Sequence, residues 1–178
     1  MKGLARKFTR SRSGVAAIEF ALIYPVLLLL MVGMFEITNA VIAYQKTQKL
    51  AYTVDQLITK APSVTAQIVQ KTMSAAVSVL APLDGTNATI DVTYRYIGAD
   101  GKISTSWTQN FPSGKKGSVL NSQLPDNYSA LRDVGYLTTS VRYNHSATFP
   151  ALFFKQLQMN AESIVRPRPG KPITCTDC

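Results

Sequence analysis

The sequence predicts an α+β protein: a long N-terminal transmembrane helix continuing into a small exterior domain, where a helix packs on a mainly antiparallel sheet. Three observations carry this. An uncharged apolar run, FALIYPVLLLLMVGMF, fills residues 20–35. Residues 41–60 then keep helical spacing without Gly or Pro. From residue 89 the apolar period falls from helical to alternating, with turn residues between the runs.

Residues 1–14 form a basic leader. Lys2, Arg6, Lys7, Arg10 and Arg12 precede the apolar run, and the first acid is Glu19. These five supply more than half of the net charge of +9. Basic residues beside an apolar run set orientation, so the leader is expected in the cytoplasm and the rest of the chain outside. The high pI is therefore topogenic, and no nucleic-acid partner is expected.

Val15 to Phe35 gives about 20 residues, enough to cross a hydrocarbon core of about 30 Å. Glu36, Thr38 and Asn39 follow without a small-residue cleavage pattern, so the anchor is expected to be retained. Pro25 removes an amide donor and frees the carbonyl of Ala21, which marks a kink or a point of yielding. Glu19 is costly near lipid; snorkelling to the headgroups or pairing with Arg12 would lower that cost. Beyond the span, Tyr44, Ala51, Val54 and Ile58 recur at helical spacing, with Lys46, Lys49 and Asp55 among the polar positions. Residues 15–60 are thus read as one helix, stopped by Pro62.

Residues 61–166 form the exterior α+β domain. A helix is expected over 64–81, with Ile68, Met73, Val77 and Leu80 at helix-compatible spacing, Ser63 as its cap and Pro82 with Gly85 as its end. TIDVTYRYI, residues 89–97, and KISTSWTQN, residues 102–110, alternate around Gly98-Ala99-Asp100-Gly101 and read as a hairpin. Residues 112–135 read as a long loop, and 136–144 and 157–166 as two further strands. FPALFF, residues 149–154, reads as core or a short helix, with docking to a membrane or partner as the alternative. Residues 167–178 read as an extended tail ending in CTDC. Export would favour pairing of Cys175 with Cys178, and two free thiols are the alternative. The pair alone has too few ligands for a metal site, so no metal is expected.

The catalytic inventory is thin. His145 is the one histidine and is expected as a solvated residue at a strand end. Neither a nucleophile elbow, a phosphate loop nor a paired-histidine motif is present. The chain is not expected to be an enzyme or to need a cofactor.

Gly14, four apolar residues, Glu19 and Phe20 resemble the type IV prepilin cleavage pattern. More closely, residues 14–56 resemble the TadE-like domain of tight-adherence pilus systems. The likeness lies in G-x-A-A-x-E-F-A-L from Gly14 to Leu22, Pro25, the leucines at 27–30, and Gly33 with Glu36. It implies a pilin-like plan and a minor pseudopilin of the bacterial inner membrane, with its exterior domain periplasmic or extracellular. Its partners would be a prepilin peptidase, pilin and pseudopilin subunits, and the pilus assembly machinery. The implied cut falls between Gly14 and Val15. The new amine at Val15 would pair with Glu19 of its own or a neighbouring subunit and set register. Phe20 stands where major pilins of these systems favour Tyr, and the chain is longer than they are; both argue for a minor component. The alternative is an unprocessed single-pass envelope scaffold or binding protein.

Overall fold

The computed structural model describes residues 12–114, 131–150, 152, 154–167 and 172–178, with the side chains of residues 12 and 13 outside that description. Its first element, α1, runs Arg12–Ile58 and passes through Pro25 without a break. It starts before the expected Val15 and ends before the expected Lys60. Two compact units divide between Asn39 and Ala40, inside α1.

In the first unit every residue from Gly14 to Met31 is exposed. Its apolar side chains therefore lack a protein core, which suits a lipid-facing helix. The described residues hold one helix long and apolar enough to cross a membrane, and it is this one. Phe20 and Tyr24, one turn apart, bring their ring centroids to 5.7 Å. Thr38 turns its hydroxyl back to the Met34 carbonyl at 2.8 Å, so its polar group is satisfied within the helix.

The second unit begins with the remainder of α1, which buries Ala43, Thr47, Leu50, Ala51, Val54, Asp55 and Ile58. These positions form one helical stripe. Tyr44 lies off it at 48% exposure, contrary to expectation. The short strand β1, Ser63–Val64, follows. Helix α2, Ala66–Ala76, continues into a 3-10 turn, Val77–Leu80. Its cap is Thr65 rather than the expected Ser63, because Ser63 is engaged in β1; the Thr65 hydroxyl accepts from Ile68 N at 3.2 Å. Val69, Met73, Ala76 and Leu80 face inward. Ile68 does not (51% exposed) and Val69 takes its place, while Met73, Val77 and Leu80 lie at or against the core. Lys46 donates to the carbonyls of Val79 and Ala81 and so satisfies the end of the 3-10 turn.

Four strands form the main sheet: β2 (Ala88–Ile97), β3 (Ile103–Phe111), β4 (Val134–Ser146) and β5 (Gln156–Val165). Their order is β3-β2-β4-β5, and every neighbour pair is antiparallel. The expected hairpin turn joins β2 to β3, with Gly98 N bonded to Lys102 O at 3.0 Å and Gly101 at φ 80°. Pairing sets Ile90 opposite Val141, Val92 opposite Thr139 and Tyr94 opposite Leu137. Ala161 and Met159 of β5 continue that face beside Val141 and Tyr143. These residues share one core with the stripe of α1 and the inward face of α2.

Gly135 is required by a close approach. A Cβ there would come within 1.8 Å of the Tyr94 hydroxyl. Tyr94 is buried and stacked on Trp107, with centroids 5.8 Å apart, so it has little room to yield. Gly135→Ala is expected to destabilise the second unit by about 1–3 kcal/mol, read as a lower urea midpoint of the full chain in detergent. An unchanged midpoint would show that Tyr94 moves freely.

Three further expectations change. His145 is buried, not solvated, because β4 extends to Ser146 and carries it inward opposite Leu157. In FPALFF, Phe149 is 41% and Leu152 60% exposed, so these two side chains are not core; Ala151 and Phe153 lie outside the described residues. Residues 172–178 are extended but docked. Thr174–Cys175 forms β6, which pairs in parallel with β1, and Ile173 is fully buried. Of the expected loop, residues 115–130 lie outside the described residues.

Candidate functional site: the leader junction, the buried acid and the closing loop

Gly14 and Val15 lie inside α1, so the bond between them is helical. A Cβ at Gly14 would meet nothing within 4 Å. Space therefore does not demand glycine here. What glycine offers is weak helix propensity, about 1 kcal/mol below Ala, so this turn unwinds at less cost. Val15 and Glu19 stand four residues apart on one helix face. Glu19 is exposed and makes no ion pair among the described residues. Phe20 is 62% exposed. Pro25 follows on the same helix, so these residues form one linear stretch rather than a pocket.

The second unit holds a polar site that sequence reasoning missed. Asp55 is fully buried, well beyond the lipid-facing stretch. Thr139 on β4 donates to its Oδ1. Burial pushes its pKa up to about 7; the hydroxyls of Ser163 and Thr139 pull it back, and Glu162 adds to the rise. A signal was present in the sequence. Asp55 stands four residues after Ala51 and beside Val54, on the apolar stripe rather than the wet face.

Cys175 and Cys178 are joined by a disulfide, with Cα atoms 5.5 Å apart. Asp177, between them, accepts from the backbone N–H of Ala66 at 2.6 Å, at the first turn of α2. With the Asp177 carboxylate, the two sulfurs place three ligand-type atoms within 4.8 Å of one another. The sulfurs are spent on the disulfide, so they offer no thiolate for a metal. The one described histidine, His145, lies on β4 and is not among these ligand-type atoms; its Nε2 has no hydrogen-bond partner among the described residues.

Among the described residues, one helix long and apolar enough to cross a membrane leads into an α+β unit built on its later turns, the plan of a membrane-anchored protein with a small non-membrane domain. Residues 14–54 match the family model described as TadE-like protein, so this segment of the chain is TadE-like. The match begins at Gly14 and ends one residue before Asp55. No curated protein and no solved structure matches the chain.

Proposed function

We propose that this protein is a minor pseudopilin of a tight-adherence pilus, cut by a prepilin peptidase between Gly14 and Val15. The observation that carries the reading is a coincidence of position. The TadE-like match starts at the glycine where the basic leader meets a fully exposed apolar helix. Glu19 then becomes the fifth residue of the mature chain. Its carboxylate gains a partner in the new ammonium at Val15, on the same or a neighbouring subunit. In low dielectric, such a pair penalises misregistered packing more than it adds stability. Phe20 and the apolar residues after it supply the packing surface, and Pro25 is the point at which the helix yields as its surroundings change. The leader faces the cytoplasm of a bacterial inner membrane, and the second unit lies on the other side. The role is structural: the partners are the peptidase, pilin and pseudopilin subunits and the assembly machinery.

Co-expression with a prepilin peptidase, followed by N-terminal sequencing, tests this. The expected mature chain begins at Val15. Gly14→Val, whose branched Cβ obstructs the protease, should leave residues 1–14 attached. A native chain that keeps its leader under these conditions would instead be the unprocessed single-pass scaffold.

A further inference from the structure

Four hydrogen bonds among the described residues tie the closing segment to the rest of the second unit, three of them between Pro62 and Ala66, where α1 gives way to α2, and one on β3. Thr174 N donates to Pro62 O at 3.4 Å, and Thr176 N donates to Val64 O at 3.3 Å. Trp107 Nε1 donates to Ile173 O at 3.1 Å. Asp177 accepts from Ala66 N at 2.6 Å. The two backbone bonds are long, and β6 has only two residues, so strand pairing alone holds this segment weakly. The disulfide brackets Asp177 and fixes the turn that aims its carboxylate at α2. Cys175 is partly buried against the core, while Cys178 is exposed and open to attack by a thiolate.

We propose that Cys175 and Cys178 form a redox-operated latch: closed, the disulfide seats residues 172–178 on β1, Trp107 and the start of α2; open, it releases them. Closure is a thiol–disulfide exchange with a disulfide-bearing oxidant. One thiolate of the chain attacks the oxidant's disulfide and forms a mixed disulfide; the second displaces the oxidant's remaining thiolate. The chain loses two electrons and two protons, and the oxidant leaves as a dithiol. A small-molecule dithiol runs the exchange in reverse. Release would remove an anionic partner from the N-terminal turn of α2, where a carboxylate is favoured. It would also strip the Ile173 carbonyl from the indole of Trp107. The latch is independent of cleavage at Gly14. Its closure in the cell rests on the orientation proposed above, since oxidants of this class act outside the cytoplasm.

Trp107 is the chain's one tryptophan, so its fluorescence reads the latch directly. The full chain in detergent micelles is titrated with dithiothreitol, and Trp107 emission and acrylamide quenching are recorded. Reduction is expected to shift the emission to the red and raise quenching, and reoxidation to reverse both. A Cys175→Ser/Cys178→Ser variant should match the reduced protein at every reductant level. Asp177→Asn, which keeps the disulfide, should give a smaller red shift. Identical emission and quenching before and after reduction would overturn the latch. So would a double-serine variant that matches the oxidised protein. Neither readout depends on orientation or on the leader, so failure here is distinct from failure of the pilus reading.

Discussion

Unfolding of the full chain in urea, followed by Trp107 fluorescence in detergent, is expected to show stability falling as pH rises from about 4 to about 7. Asp55 is the cause. In the unfolded chain its carboxyl ionises near 3.8, whereas burial holds it protonated up to about 7 in the fold. Between those values the unfolded state binds fewer protons, so rising pH favours unfolding. The stabilising share is complete below about 3.8 and gone above about 7, and amounts to at most about 4 kcal/mol. Asp55→Asn keeps the shape and removes the titration. Its stability should therefore lose this slope and exceed that of the native chain most clearly near neutrality. Equal slopes in the two proteins would assign the pH dependence to other groups.

Two leucines on one helix give the second large contrast. Leu50 is completely buried on the stripe of α1, and Leu50→Ala is expected to cost about 2–5 kcal/mol. Leu28, 42% exposed in the apolar run, has no protein core to lose. Leu28→Ala should leave the urea transition of the second unit within about 0.5 kcal/mol of the native value. Equal losses at both positions would mean that the two units do not unfold separately.

The sheet was legible because its strands alternate and the Gly98–Gly101 turn announces itself. The helix faces were legible only in part. Sequence spacing drew Tyr44 and Ile68 inward because both are apolar, but spacing alone cannot choose between adjacent residues; the fold buries Ala43 and Val69 instead. Asp55 was read as wet because it is charged. Its true setting depends on Thr139 and Ser163, which the chain supplies far downstream. His145 was misplaced by a strand end two residues too short. The linear features at Gly14, Glu19 and Pro25 were visible because they lie within one short stretch. The docking of Ile173 and Asp177 was not, because it joins residues that no local pattern relates.

That last contact sets an order of events. Asp177 and Ala66 are 111 residues apart. Closing so wide a loop is entropically costly and slows folding. Residues 172–178 also emerge after everything they bind, so the first amide of α2, at Ala66, waits for its distant acceptor until synthesis has passed the whole sheet. A domain completed this late keeps its last turn of helix-end satisfaction, at Ala66, open until the final residues of this segment have been made.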